Sequence, residues 1–141
     1  MKVKLASLLA LFAMALSLLA CSSALKQTSV TVAIDEFLKQ NNISREIQVA
    51  TNDTFTVTLG SNPTTGFNWV ESAKISDQAV LQQLEHKYVP PQGSLPGASG
   101  QEVWTFRALK AGKTTVSMDY SRPWEGGEKN VWTFTLTVSV K

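Results

Sequence analysis

From residue 28 onward the chain alternates between apolar and polar residues, with a period of two, in several short segments. Alternation of this kind, built from β-branched and aromatic residues, predicts strands with one face buried and the other in solvent. The clearest alternating segments are 54–59, 103–108, 115–120 and 131–140. Further strand candidates are Val30–Ile34, Glu46–Ala50, Asn68–Lys74 and Val80–Tyr88.

Turn-forming residues separate these segments. They are Asn52-Asp53, Asn62-Pro63, Pro90 to Gly100, Ala111-Gly112 and Gly126-Gly127. About seven or eight short strands divided in this way predict an all-β fold, an immunoglobulin-like antiparallel β-sandwich. A domain of about 120 residues can bury a core without disulfides. The segment Asp35–Asn42 could form one helical turn before the sheets, and the sequence leaves this open.

The N-terminal segment has the pattern of a secretory signal, in which Lys2 and Lys4 precede the apolar run Leu5–Ala20. This run of about 16 residues is shorter than the roughly 20 that a membrane span needs. Its end, Leu18-Leu19-Ala20-Cys21, resembles the bacterial lipobox, which implies cleavage before Cys21 and acylation of that residue. Ser22 resembles the sorting residue of Gram-negative lipoproteins that go to the outer membrane.

This resemblance implies three segments: a lipoprotein signal peptide (1–20), the lipidated Cys21 with a tether (21–28), and a folded domain (29–141). The implied location is the bacterial cell envelope, where acyl chains would hold the protein in the lipid bilayer. The alternative is an ordinary signal peptide with an incidental cysteine.

Charge and composition exclude several classes of partner and site. The formal net charge of +2 comes from 13 basic and 11 acidic residues. Because two of the basic residues, Lys2 and Lys4, belong to the signal segment, the mature chain has a net charge of zero. No electrostatic attraction to nucleic acid then remains. One cysteine and one histidine exclude an intrachain disulfide and a multi-histidine metal site, and we expect no metal and no cofactor.

Catalytic residues are also missing from the sequence. A hydrolase needs a nucleophile, a base and a group that orients the base. Lipidation consumes the only cysteine, and His86 is expected to be a rim or half-buried strand residue on the same side as Leu84 and Tyr88. The glycines near 93–100 and 126–127 open no helix and so form no phosphate-binding loop. The sequence therefore does not support an enzyme.

Three segments between strands are too particular in conformation to be neutral connections: the first loop (61–67), the second loop (92–100) and the third loop (121–127). In the first loop, Pro63 fixes its own φ and Gly66 can adopt a positive φ, which predicts a preorganised projection. In the second loop, Leu95 is an apolar side chain expected in solvent. The third loop contains Arg122 and Trp124, residue types enriched in binding hot spots. In a sandwich of this type these loops could form one recognition edge, although each alone is compatible with a structural turn.

These residues resemble the chagasin-like inhibitors of papain-type cysteine proteases. The family has an Asn-Pro-Thr-Thr-Gly-Phe loop, a Gly-x-Gly-Gly loop and an Arg-Pro-Trp/Phe loop, in that order. The first and third motifs are complete here, whereas Ser99 replaces a glycine of the second motif and Pro96 follows Leu95. The resemblance covers roughly residues 45–141. The protease-binding residues that it implies are Asn62, Pro63, Thr64, Thr65, Gly66, Phe67, Leu95, Gly97, Ala98, Gly100, Arg122, Pro123 and Trp124.

The resemblance implies a monomer that wedges the three loops into the protease cleft and inhibits reversibly. Thr64 and Thr65 would lie over the catalytic cysteine, and Trp124 would stack on the primed side with Arg122 hydrogen-bonding nearby. The Leu95–Gly100 segment would run along the non-primed side in the manner of an added strand. Two alternatives from other classes are a surface-anchored adhesion module of immunoglobulin-like fold and an envelope hydrolase.

Overall fold

Nine strands, one short α-helix and one 3₁₀ turn lie in the part of the chain, residues 28–93 and 95–141, that the computed structural model describes. The strands are β1 (Thr28–Val32), β2 (Asn42–Val49), β3 (Thr54–Ser61), β4 (Asn68–Trp69), β5 (Lys74–Ile75), β6 (Leu81–Val89), β7 (Gly100–Ala108), β8 (Gly112–Ser121) and β9 (Trp132–Val140). The helix α1 (Ile34–Lys39) lies between β1 and β2.

The strands form two sheets that pack as a sandwich, which confirms the predicted fold class. One sheet has the order β1-β3-β7-β6, and the other has the order β2-β9-β8, with β4 and β5 both paired to β8. Most neighbours are antiparallel. The two outer pairs, β1 with β3 and β2 with β9, are parallel, because α1 carries the chain from the edge of one sheet to the edge of the other.

The predicted alternation sets which side chains fill the core. In β9, Phe134, Leu136 and Val138 are fully buried, while the threonines between them are half-buried. The same period puts Trp104 and Phe106 of β7 inside. Side chains of period two on facing sheets bury a continuous apolar layer, which is the main stabilising contribution in a fold of this kind.

Two local predictions differ from the structure, and one open question is answered by it. The predicted strand Asn68–Lys74 is interrupted, so that β4 and β5 are two residues each and the strand count rises to nine. The open question at Asp35–Asn42 is resolved as a helix over Ile34–Lys39. The expectation that Leu84 shares a side with His86 is wrong, because the register of β6 shifts between Gln83 and Glu85. A bulge of this kind inserts one extra residue and leaves Leu84 exposed while His86 faces inward.

All three loops lie at one end of the sandwich, which we call the loop end. The first loop follows β3, the second joins β6 to β7, and the third joins β8 to β9. The chain enters at the opposite end, because Thr28 of the parallel strand β1 pairs with Phe55 near the start of β3. Lys141 is also there, where its carbonyl accepts a hydrogen bond from the Thr51 amide at 2.9 Å.

An aromatic layer supports the loop end from below. Phe37, the buried residue of α1, lies with its ring centroid 5.0 Å from that of Trp69 and 5.3 Å from that of Trp132. Tyr120 stacks on Trp132 at 4.7 Å and contacts the Phe67 ring at 5.6 Å. Aromatic pairs at these separations gain about 0.5–1.5 kcal/mol each beyond their buried area. The loops therefore rest on a layer of packed aromatic side chains.

Candidate functional site

The first loop is a compact turn whose shape follows from its sequence. Residues Pro63–Thr65 form a single 3₁₀ turn, with proline at its first position, where the missing amide hydrogen costs nothing. Gly66 ends the turn at φ 83°, in the left-handed region that favours glycine. Its amide donates to the Pro63 carbonyl at 2.9 Å, and the Thr65 amide donates to the Asn62 carbonyl at 3.1 Å. The backbone is therefore folded back on itself rather than extended.

The side chains of the first loop reinforce this turn from within. The Thr64 hydroxyl donates to the side-chain oxygen of Asn62 at 2.5 Å, and the Thr65 hydroxyl donates to the Asn62 carbonyl at 2.7 Å. The backbone amide of Asn62 in turn donates to the Tyr120 hydroxyl at 2.9 Å, which ties the loop to the aromatic layer. Both threonines are nevertheless exposed, so the tip of the loop presents methyl and hydroxyl groups on a fixed backbone.

The third loop packs against the first. The Trp124 side chain is 52% exposed, and its ring lies so close to Gly66 that a Cβ there would be 2.5 Å from the tryptophan Cη2. The Arg122 guanidinium lies over the Phe67 ring, 4.3 Å from its centroid, and donates to the Thr65 carbonyl at 3.4 Å. A cation over an aromatic face is attractive by about 0.5–2 kcal/mol. Two residues of the Arg-Pro-Trp motif thus hold the first loop from the side.

A lysine that no sequence motif marks shapes the third loop. Lys129 donates its Nζ to the carbonyls of Arg122 and Trp124, at 2.5 and 2.9 Å. The Arg122 amide donates to the Glu128 carbonyl at 2.8 Å, which closes the loop. A surface lysine carries no periodicity or motif that would mark such a role. Arg122 also lies 3.7 Å from the Glu128 carboxylate, while its Nε is buried without a hydrogen-bond partner.

The second loop is the most exposed of the three. The Leu95 side chain is 80% exposed, and Gly97 and Pro96 are exposed as well. One hydrogen bond joins it to the first loop, from the Asn62 side-chain amide to the Gly97 carbonyl at 3.1 Å. Ala98 is half-buried and its amide donates to the Leu95 carbonyl at 3.3 Å.

The end of the second loop is tightly fitted. Gly100 is buried as the first residue of β7, and a Cβ there would collide with the Tyr88 hydroxyl and the Val89 carbonyl. Ser99 and Pro96, the two departures from the family pattern, both lie at the exposed surface of this loop. The structure therefore brings the predicted site residues of all three loops together at one edge.

His86 takes part in a buried polar cluster that does not have the order of a catalytic triad. Its Nε2 lies 2.8 Å from one oxygen of Glu102, and the Ser61 hydroxyl donates to the other oxygen at 2.7 Å. In a triad the hydroxyl would donate to the histidine, whereas here serine and histidine bind the same carboxylate. Ser61 is also fully buried and out of reach of a substrate.

Sequence reasoning missed Glu102, although a sign of it was present. Glu102 lies on the same buried face of β7 as Trp104 and Phe106, so a carboxylate occupies a position where the alternating pattern requires an apolar side chain. Buried charges are retained only where partners satisfy them, which makes such a position conspicuous.

Several sequence predictions concern residues on which the structure is silent. The signal segment 1–20, the lipidation site Cys21 and the tether as far as residue 27 lie outside the described residues. Within 28–93 and 95–141, no helix is long and apolar enough to cross a membrane. The same residues hold no group of three or more histidine, cysteine or acidic side chains suited to a metal ion.

Comparison with known proteins places the loops in a family context. Residues 48–138, which include all three loops, match the family model described as "Chagasin family peptidase inhibitor I42". Chagasin from Trypanosoma cruzi is 36% identical over 92 residues, which cover 64% of this chain and 84% of chagasin. Amoebiasin-2 from Entamoeba histolytica is 32% identical over 120 residues, which cover 84% of this chain and 94% of that protein.

A solved structure shares the fold. PbICP-C, whose structure was determined in complex with falcipain-2, superimposes with a TM-score of 0.59 at 15% identity, covering 81% of this chain and 99% of that one. At this level of identity the likeness concerns the arrangement of strands.

Proposed function

This chain belongs to the chagasin family of peptidase inhibitors, and from that premise we propose that it inhibits papain-like cysteine proteases by wedging the three loops into their active-site cleft. The protein is thus an inhibitor and not an enzyme. The observation that supports the wedge best is the cross-bonding at the loop end: Asn62 bonds the second loop, and Arg122 bonds the first. Loops that are already fixed in place lose little conformational entropy on binding.

The 3₁₀ turn explains why the protease would not cleave this inhibitor. A cysteine protease cleaves an extended segment whose scissile carbonyl enters the oxyanion hole and is attacked by the thiolate. Here the Asn62 carbonyl already accepts bonds from the Thr65 amide and hydroxyl, and the Pro63 carbonyl accepts one from the Gly66 amide. With these carbonyls engaged inside the turn, and the Thr65 carbonyl accepting from Arg122, the exposed Thr64 and Thr65 can cover the catalytic cysteine on a folded backbone instead of the extended one that cleavage needs.

The flanking loops extend the contact in opposite directions from the first loop. Trp124 presents a half-exposed aromatic ring that can stack on an apolar wall of the primed side, and Arg122 is held beside it. On the other side, the exposed Leu95 can enter an apolar pocket of the non-primed cleft. Ser99 and Pro96 lie on this second loop, so we expect them to alter selectivity more than inhibition itself.

Titration of residues 22–141 against papain and a cathepsin L-like protease tests the proposal. The wild-type chain should inhibit both reversibly, and Thr64→Arg should weaken inhibition at least about 100-fold, because a long charged side chain would separate the loop from the catalytic cysteine. Thr54→Arg is the matched control, since Thr54 is an exposed threonine at the opposite end of the sandwich. Absence of inhibition by wild type at micromolar concentration, or equal potency of Thr64→Arg and wild type, would contradict the proposal.

The lipobox-like sequence supports a second part of the proposal, that Cys21 is acylated and anchors a monomeric inhibitor in the bacterial envelope, at the outer membrane. Stable anchoring needs two or more acyl chains, as lipidation at such a cysteine would supply. The position of Thr28 is compatible with this arrangement, because the chain enters the domain at the end opposite the loops. An anchor there leaves the wedge free to meet a protease in solution.

A further inference from the structure

A buried carboxylate joins the two stems of the first loop. Glu102, in β7, is only 4% exposed. Its Oε1 accepts the Ser61 hydroxyl at 2.7 Å and the Trp69 amide at 3.3 Å, while Oε2 lies 2.8 Å from His86 Nε2. Ser61 is the last residue of β3 and Trp69 the last of β4, so one oxygen atom bonds the chain on both sides of residues 62–68.

Packing alone does not explain a carboxyl group at this position. Burying an ionised carboxylate is costly unless hydrogen bonds and an opposite charge compensate it. The groups that face Glu102 are the Ser61 hydroxyl, the Trp69 amide and the His86 ring, and each bonds to it. A second bond between the stems runs from Trp69 Nε1 to the Gly60 carbonyl at 3.0 Å. The hydrogen bonds below the first loop thus hold its two stems together.

We propose that Glu102 is a positioning residue that keeps the first loop in its folded turn, so that a bound protease cannot extend and cleave it. This inference rests on the proposed function. Without Glu102 the bond from Trp69 Nε1 to Gly60 would still join the stems, but more weakly. Their separation by a bound protease would let residues 62–67 straighten and release the Asn62 and Pro63 carbonyls from their internal bonds. The protease could then hydrolyse one of these peptide bonds, adding one water across it. Loss of Glu102 therefore converts an inhibitor into a substrate.

The test compares Glu102→Leu and Glu102→Gln with wild type in incubations with active papain. Leucine has a similar volume but accepts no hydrogen bond, so we expect dissociation to become about 10- to 100-fold faster. Mass spectrometry should then detect cleavage within residues 62–67, as fragments whose masses sum to that of the intact chain plus one water. Glutamine keeps an oxygen that can accept from Ser61 and Trp69, and should stay intact with a dissociation rate within about threefold of wild type.

Val138→Ala is the control for general destabilisation, because Val138 is fully buried and pairs with Thr114 towards the opposite end of the sandwich. It should lower the melting temperature and leave the loop uncleaved. Cleavage of Val138→Ala at the rate of Glu102→Leu, or an intact Glu102→Leu that dissociates like wild type, would overturn the inference. If Glu102→Leu does not fold, Ser61→Ala takes its place. We expect partial cleavage of Ser61→Ala, and the absence of any cleavage would overturn the proposal. A wild-type chain that never inhibits would instead refute the proposed function, and this role with it.

Discussion

At the scale of single residues, Gly66 is the position where local conformation and loop packing meet. Its φ of 83° strains any residue with a Cβ, and the space that a Cβ would need is taken by the Trp124 ring. The first constraint is visible in the sequence, since a glycine after Pro-Thr-Thr suggests a turn with positive φ. The second requires knowing that the third loop lies against the first, which no local pattern contains.

We predict that Gly66→Ala weakens protease inhibition by about tenfold or more, because backbone strain of about 1–3 kcal/mol adds to the displacement of Trp124. Gly126→Ala is the comparison, since Gly126 has a φ of 74° but open space around its Cβ position. Inhibition constants for both variants, measured with melting temperatures, separate strain from collision. A loss for Gly126→Ala as large as that for Gly66→Ala would remove the support for a collision with Trp124.

At the scale of elements, the sequence predicted those strands whose conformation depends on their own residues, and missed features that depend on neighbouring strands. The long strands β7, β8 and β9 were predictable because a buried face imposes a period of two over many residues. The interruption after Trp69 and the bulge at Leu84 were not, since both depend on which strand lies opposite. Pairing of β1 with β3 in parallel likewise follows from the path of the chain through α1 and not from the residues of β1.

The helix α1 depends on its tertiary contacts, because six residues are too few for a stable isolated helix. We predict that Phe37→Ala lowers the free energy of unfolding by about 3–5 kcal/mol, as expected when a buried aromatic ring is removed from a packed core. Leu38→Ala, at a neighbouring position that is 70% exposed, should change it by less than about 0.5 kcal/mol. Urea unfolding curves of both variants provide the measurement. Equal values for the two would mean that Phe37 does not secure the helix to the aromatic layer.

At the scale of the whole molecule, the site is a consequence of strand order. Residues of different loops that are 35 and 57 positions apart in sequence meet because β3, β7 and β8 all have one terminus at the same end of the sandwich. The three motifs could be found in the sequence, and their meeting could be expected from the fold class. The bonds that fix their mutual positions, from Asn62 to Gly97 and from Arg122 to Thr65, could not, because they depend on side-chain placement.

The loops and the point where the chain enters the domain lie at opposite ends of the sandwich, and this leads to a prediction about the anchored protein. With the β8 strand about 34 Å long at 3.4 Å per residue, an anchor next to Thr28 holds the loops well away from a bilayer. The full chain expressed in a Gram-negative host should carry acyl chains, detected as added mass on the peptide that begins at Cys21, and Cys21→Ser should carry none. On lipid vesicles, the acylated protein should inhibit papain within about threefold of the soluble residues 22–141. Absence of acyl chains from the wild-type chain would contradict the anchor, and a loss of tenfold or more on vesicles would contradict the outward orientation of the loops.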